Sequence, residues 1–196
     1  TKLVQAERER LTLVVADTAP AMYFGTRTRF KSVQAARAGA VAAWMAVRDG
    51  DRIAALRGST REAPIPPASG PRGALRVLDA LTRWYSAPPS DDSGLAVALD
   101  HATRLLRPGS RVVVLADPAD LGAVPESRWP ALARHNDVLV LLLVDPLESD
   151  PPRAALPFLA AGHGSSAAHR VELDLASAPQ RQRWRQQFGA PVADAR

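Results

Sequence analysis

The sequence predicts an α/β fold with three layers, in which a mainly parallel central sheet carries helices on both faces. Short apolar runs rich in β-branched residues recur along the chain, as they do in strands that are covered on both sides. Segments with helical spacing lie between these runs, and strands that alternate with helices form parallel sheets. The chain has 196 residues, of which 46% are hydrophobic. We therefore expect one well-buried domain over residues 1-196.

The predicted elements follow one another in order. Central strands are expected at Leu11 to Ala16, Asp51 to Arg57, Arg111 to Ala116 and Asp137 to Val144. Residues 62–65 are predicted to form a short edge strand, because the prolines in this stretch argue against a central position in the sheet. Residues 171–175 are predicted to form a last strand. The first helix should run from Val33 to Arg48 with Ser32 as its N-cap, and Trp44 should be buried against the sheet. Further helices are predicted near residues 75–85, 95–106, 124–134 and 179–188.

Composition and missing motifs exclude several classes of function. The chain has no cysteine, which excludes disulfides, thiolate metal sites and cysteine nucleophiles. The dinucleotide fingerprint, the phosphate loop and the serine-hydrolase elbow are all absent from the sequence. Basic residues outnumber acidic ones by 25 to 20, but they are scattered among few aromatics, so we expect no nucleic-acid binding. The apolar runs are too short to span a membrane.

Three aspartates directly follow predicted strands, namely Asp17, Asp117 and Asp145. Ligands of such folds bind beyond the carboxyl ends of the strands, so these acids are candidates for a metal or catalytic site. Asp145 and Glu148 in the segment VDPLE could form an acid/base pair. The favoured alternative is that Asp145 caps an Asp-Pro turn through backbone N–H groups.

Several motifs together resemble a known bacterial family. The segment DTAPAM, which begins at Asp17, occupies the frame D-x-S-x-S-M of the metal-ion-dependent adhesion site in von Willebrand factor type A domains. The segments MYFGTRTRFKS, RDGDRIAAL, VVVLADPADL and RHNDVLVLLLVDPLE resemble the family catalogued as domain of unknown function 58. The resemblance spans nearly the whole chain and implies a von Willebrand factor A-like, Rossmann-like fold. It also implies that membrane helices and a β-rich segment precede this part of a longer protein.

The resemblance further implies a degenerate metal site. In an intact site, aspartate, serine and threonine oxygens hold Mg²⁺ or Mn²⁺. Asp17 and Asp117 match the two acids, whereas Ala19 and Ala21 stand at the serine positions and offer no oxygen. No cofactor is expected, any binding of Mg²⁺ or Mn²⁺ would be weak, and Asp17 is interpreted as a turn cap that accepts bonds from the backbone of residues 19–22. The later threonine would be replaced by Thr60 or Ser69.

The expected function is a non-enzymatic protein-interaction module, which the resemblance associates with a MoxR-type AAA+ ATPase in the assembly or maturation of complexes. The alternative is a divalent-metal-dependent enzyme or an adhesion-type metal site built on Asp17, Asp117 and Asp145. The expected location is cytoplasmic, at the cytoplasmic face of the membrane if the full-length protein is anchored. Aromatic and basic residues after the first strand are the candidate partner-binding set: Met22, Tyr23, Arg27, Arg29 and Lys31.

Overall fold

The computed structural model describes residues 9–26, 28–160 and 169–194. The chain divides into two compact units, Thr1–Leu143 and Val144–Arg196. That both units belong to one domain over residues 1-196 stays a prediction. None of the helices in the described ranges is long and apolar enough to cross a membrane.

A five-stranded sheet forms the centre of the first unit. Its strands are β1 (Leu11–Ala16), β2 (Arg52–Arg57), β3 (Ile65–Ser69), β4 (Arg111–Ala116) and β5 (Asp137–Leu142). They lie in the order β3-β2-β1-β4-β5. β1 pairs in parallel with β2 and β4, β4 pairs in parallel with β5, and only the edge strand β3 is antiparallel. The predicted, mainly parallel sheet is confirmed.

Helices cover both faces of this sheet. The helices of the first unit are α1 (Lys31–Arg48), α2 (Gly70–Ser86), α3 (Leu95–Leu105), α4 (Pro118–Gly122) and α5 (Arg128–Ala133). Successive strand residues point to opposite faces. Val14 and Ala16 pack into a core with residues of α1 and α2, whereas Leu13 and Val15 pack with residues of α3 and α5. The predicted three layers are therefore confirmed.

The strand order reverses at β1, because β2 lies on one side of it and β4 on the other. Open parallel sheets bind ligands at the carboxyl ends of strands near such a reversal. The ends of β1 and β4 are joined at this place, since the backbone N–H of Asp17 donates to the carbonyl of Leu115 at 2.9 Å. Asp17 and Asp117 consequently follow adjacent strand ends.

The edge strand β3 lies a few residues later than predicted. It begins at Ile65 and contains Pro66 and Pro67, which lack the N–H donor that a central strand needs. Ser69 pairs with Arg52, at the start of β2. Ser69, the last residue of β3, therefore lies where β1 and β2 begin, whereas Asp17 lies at the opposite end of the sheet, where β1 ends.

Helix α1 begins at Lys31, two residues before the predicted start, with Phe30 as its N-cap residue. Ser32 is buried inside the helix and does not cap it. The helix packs closely on α2 at Gly39, where an added Cβ would lie 2.5 Å from Cδ1 of Leu81. A side chain at position 39 would therefore displace the side chain of Leu81.

The prediction that Trp44 is buried was wrong, because this side chain is 44% exposed. Nearly every position of α1 is apolar or small, so hydrophobicity does not specify which side faces the sheet. The buried positions are occupied by small residues, including Ala35, Ala43 and Ala46. Small side chains allow α1 to pack closely against the neighbouring elements, so the face of α1 with small residues is buried and the large side chain of Trp44 faces solvent.

The second unit contains a two-stranded antiparallel sheet and short helices. Its elements are α6 (Pro146–Ser149), β6 (Ala155–Ala160), β7 (His169–Asp174), α7 (Ala178–Trp184), a π-helical segment (Arg185–Gly189) and α8 (Ala190–Asp194). Its packing centres on Trp184, whose ring lies 5.3 Å from Phe158 and 4.4 Å from Phe188 between centroids. The Trp184 Nε1–H donates to the Leu147 carbonyl at 2.9 Å. The last strand and helix were predicted near their observed places, whereas β6 was not predicted.

Candidate functional site

Asp17 is buried where β1 ends, and both of its carboxylate oxygens accept backbone hydrogen bonds. Oδ1 accepts from the N–H of Ala19 at 3.0 Å, as the interpretation of a turn cap requires. Oδ2 accepts from the N–H of Asp117 at 2.9 Å, which ties the end of β1 to the end of β4. Burial, followed by the negative charge of Asp120, raises the pKa of Asp17 to about 7. Asp17 is thus a buried link between two strand ends.

Asp117 holds the start of α4 and forms an ion pair. Its Oδ1 accepts from the N–H of Ala119 at 2.8 Å, which makes Asp117 the N-cap of that helix. Its Oδ2 accepts from the ammonium group of Lys31, at the start of α1. The Lys31 and Asp117 side chains are only 4% and 6% exposed. The pair therefore lies out of water and connects α1 to β4.

The residues around this pair do not fit a divalent cation. Ala19 and Ala21 contribute no side-chain oxygen, and Thr18 directs its hydroxyl to Asp92, to which it donates at 2.7 Å. Ser69 lies at the opposite end of the sheet from Asp17, so it cannot complete the site. Within the described ranges, no group of three or more acidic or histidine side chains is placed to hold a metal ion. Mg²⁺ and Mn²⁺ require several oxygen ligands around one point.

A third acid, Asp120, joins the cluster, although no sequence pattern had predicted it there. Burial, followed by the charge of Asp117, raises the pKa of Asp120. Its Oδ2 atom is buried and accepts no hydrogen bond from a donor group among the described residues, while a side-chain hydrogen bond with Asp17 lowers the pKa of Asp120 in part. The sequence did contain a signal for Asp120. It lies three positions after Asp117, the N-cap of α4, and a residue at that spacing lies in the first turn of the helix, close to the N-cap.

The predicted partner-binding residues are distributed between the core and the surface. Met22 is fully buried, and Lys31 is engaged with Asp117, so neither lies on the exposed surface that the prediction required. Tyr23 is half-buried, and its hydroxyl donates to the carbonyl of Trp84 at 2.6 Å; burial raises the pKa of Tyr23 to about 12. Arg29 is exposed. Arg27 lies outside the described residues.

Sequence reasoning missed a second polar cluster at the end of β2. The guanidinium of Arg57 donates to Glu62 at 2.9 Å and to Asp91 at 2.7 Å. Asp91 also accepts from the hydroxyl of Ser59 at 2.6 Å, and Glu62 accepts from Nε1 of Trp84 at 2.9 Å. Burial alone would raise the pKa of Glu62, but the hydrogen bonds that Glu62 accepts from Trp84, Arg83 and Arg57 together lower it. A proline-rich stretch that the sequence suggests is a plain loop is therefore held by the buried guanidinium of Arg57 and two partly buried carboxylates.

Asp145 belongs to the second unit and acts there as a helix cap. Its Oδ1 accepts from the N–H of Leu147 at 2.9 Å, while the Glu148 carboxylate accepts from the N–H of Asp145 at 2.8 Å. This reciprocal pair is a capping box. The favoured interpretation of Asp145 as the cap of an Asp-Pro turn is confirmed.

Solved structures that are similar to this chain include two with TM-scores just above 0.5. One is an aerotolerance-related membrane protein of Bacteroides fragilis NCTC 9343 with multiple mutations to serines, at a TM-score of 0.51 and 13% identity over 94% of this chain and 96% of that one. The other is the conserved hypothetical protein BatB of Bacteroides thetaiotaomicron, at a TM-score of 0.52 and 13% identity over 95% and 98%. At this identity the likeness shows the α/β fold alone.

The family comparison covers nearly the whole sequence. No protein with a curated description matches the chain. The family described as "Protein of unknown function DUF58" matches residues 1–194, which include both compact units. The chain therefore belongs to the family of proteins of unknown function DUF58.

Proposed function

We propose that this protein is a non-enzymatic protein-interaction module that docks an acidic partner at one end of its sheet. That end, here called the rim, consists of the loops that follow β1, β2 and β4, at residues 17–30, 58–64 and 117–123. The observation that carries the proposal is the contrast within one loop. Asp17, Thr18 and Tyr23 of the loop after β1 are hydrogen-bonded within the protein, whereas Arg29 and Phe30 of the same loop face solvent.

The bonding of the rim acids favours a structural role for them. A general acid or base must reach the proton that it transfers. Asp17 is 1% exposed, and both of its oxygens accept backbone bonds. Asp117 uses one oxygen as a helix cap and the other as the partner of Lys31. These acids hold the loops in place, which is what a rigid binding scaffold needs.

The exposed side chains have the chemistry of an interface. Phe30 is 54% exposed, and Arg29 precedes it directly in the same loop. Aromatic and arginine side chains are enriched in the energetically important parts of protein interfaces. An acidic partner would pair with the guanidinium of Arg29, while an apolar side chain of the partner would cover Phe30.

The partner class comes from the family resemblance, which associates such domains with MoxR-type AAA+ ATPases in the assembly or maturation of complexes. We propose an ATPase of this type as the acidic partner. The cytoplasmic face of the membrane is the proposed place of the encounter. This proposal is supported by one structural neighbour, which is itself described as an aerotolerance-related membrane protein.

The alternative, a metal-dependent enzyme or adhesion-type site, has one favourable observation. The buried Oδ2 of Asp120 accepts no hydrogen bond from a donor group among the described residues, and the side-chain hydrogen bond with Asp17 offsets only in part the rise in pKa that burial causes at Asp120, so a cation is one group that would compensate its charge. Against it stands the ammonium group of Lys31, which already occupies the neighbouring Asp117 oxygen. The interaction module is therefore the better supported proposal.

The test measures binding to a purified MoxR-type ATPase from the same organism by biolayer interferometry. Arg29→Glu, alone and with Phe30→Ser, should weaken binding by about tenfold or more, since charge reversal at a docking surface opposes an acidic partner. The matched control is Arg72→Glu, which reverses an exposed charge in the first turn of α2, near the opposite end of the sheet. Equal affinity of the Arg29 and Arg72 variants would place the interface elsewhere. No binding by the wild type would remove the ATPase as partner.

A further inference from the structure

Three carboxyl groups gather at the ends of β1 and β4 in the interior of the rim. Asp17 and Asp117 follow the two strands, and Asp120 lies in the first turn of α4. Asp17 and Asp117 are 1% and 4% exposed, and the charge of Asp120 acts on Asp17. Carboxylates that are taken out of water need compensating positive charge or hydrogen bonds. This arrangement creates a demand for a cation.

The chain supplies that cation itself. The Lys31 ammonium group pairs with Oδ2 of Asp117 and lies 5.7 Å from the centre of the Phe24 ring. The backbone around it is fixed as well, because the N–H of Lys31 donates to the carbonyl of Phe24 at 2.8 Å. Phe24 and Lys31 are thus joined through their backbones, and the side chain of Lys31 is buried.

We infer that the Lys31 ammonium takes the place of a divalent cation, so that this site is assembled without Mg²⁺ or Mn²⁺. The alanines at positions 19 and 21 fit this inference, because an ammonium group needs acceptors for three N–H bonds and not a shell of six oxygens. One ammonium charge does not balance three carboxylates, which agrees with the raised pKa of Asp17, near 7.

The inference also restricts how a partner is recognised. A metal ion with an open coordination position can bind a carboxylate of another protein. An ammonium group that is 4% exposed cannot do so without rearrangement of the loop. Any partner must therefore contact the exposed side chains around the site, and chelators should leave its binding unchanged. The inference itself does not depend on the proposed docking function.

The first experiment restores the missing oxygens and removes the lysine. The variants are Ala19→Ser with Ala21→Ser, and the same pair combined with Lys31→Ala; isothermal titration with Mn²⁺ is the measurement. The triple variant should gain saturable Mn²⁺ binding that Asp117→Asn abolishes, whereas the wild type and the double variant should show none. Three results would overturn the inference: wild-type binding that Asp117→Asn removes, equal binding by the double and triple variants, or no binding by a folded triple variant.

A second experiment uses the wild type and remains decisive if the triple variant does not fold. The chain contains two lysines, Lys2 and Lys31, so an ¹H–¹⁵N spectrum of lysine ammonium groups is assigned with the single variant Lys2→Arg. A buried, ion-paired ammonium exchanges its protons slowly enough to be seen. The Lys31 signal should be present and should not shift when millimolar Mg²⁺ is added. A Mg²⁺-dependent shift or loss of this signal would show that the metal competes for the site.

Discussion

The ammonium group of Lys31 is paired with the carboxylate of Asp117, and both side chains are almost completely buried. The two residues are separated by 86 positions in the sequence, so the pair connects the start of α1 to the end of β4. A buried ion pair contributes little net stability when complete, but breaking it leaves an uncompensated charge out of water. This asymmetry makes the pair testable by mutation.

Lys31→Met should lower the free energy of unfolding by about 3–5 kcal/mol, because the Asp117 charge is left without its partner. Combining Lys31→Met with Asp117→Asn should cost less than the sum of the two single changes. Urea denaturation measures all three variants. Arg29→Met removes one positive charge from the exposed part of the same loop and should change stability by about 0.5 kcal/mol or less. Strictly additive effects of Lys31→Met and Asp117→Asn would contradict the pairing.

The raised pKa of Asp17 predicts how stability depends on pH. Its pKa rises from 3.8 to about 7 on folding, so between these values the folded state keeps a proton that the unfolded state has lost. The stability that Asp17 contributes is therefore highest in acid, falls as pH rises through this window, and levels off above about pH 7.

Asp120→Asn removes the second largest cause of the raised pKa of Asp17, so the variant should gain stability relative to wild type at about pH 8 and little at about pH 4. Melting temperatures at the two pH values check this, with the exposed Asp79→Asn as control; an equal gain at both would contradict it.

The sequence predicted the central sheet more accurately than the helices. β1 and β4 are covered on both faces, so an uninterrupted apolar run marks each strand, and an aspartate directly follows its last residue. In α1 apolar residues occur on all sides, so hydrophobicity did not predict which side is buried. Small residues, and not Trp44, contact the neighbouring elements. Trp44 consequently lies outside.

The candidate site was predicted in part. That Asp17 and Asp117 are neighbours follows from the rule that parallel strand ends share one edge of the sheet. The role of Lys31 could not be read from the sequence, because it depends on where α1 begins and on a partner far along the chain. Lys31 continues a basic run with Arg29, yet the helix start turns Lys31 into the interior while Arg29 stays exposed.

The contrast between two tryptophans gives a test of the helix orientation. Trp84→Ala should destabilise the protein by about 3–5 kcal/mol, because this side chain is buried and its Nε1–H donates to Glu62. Trp44→Ala should cost about 1 kcal/mol or less, since much of its surface already faces water. Guanidinium denaturation of the two variants measures the difference. A larger loss for Trp44→Ala would restore the predicted packing of α1 against the sheet.

The Arg57 cluster should be the second determinant of rim stability. Arg57→Met leaves the carboxylates of Glu62 and Asp91 without the guanidinium that lies between them, and we expect a loss of about 1.5–3 kcal/mol at neutral pH, the usual size for hydrogen bonds to a charged group. The matched control is Arg83→Met, because Arg83 pairs with the same Glu62 from a side chain that is 55% exposed, and exposed pairs contribute about 1 kcal/mol or less. Urea denaturation at neutral pH compares the two variants.

The same cluster predicts a pH dependence. The pKa of Glu62 is lowered from 4.5 in the folded state, so the stability that ionised Glu62 contributes is present above pH 4.5 and is lost as pH falls through the folded pKa. The cost of Arg57→Met should therefore shrink as pH falls below 4.5 and through the lowered pKa of Glu62, and a cost independent of pH would mean that the side chain acts through packing and not through charge.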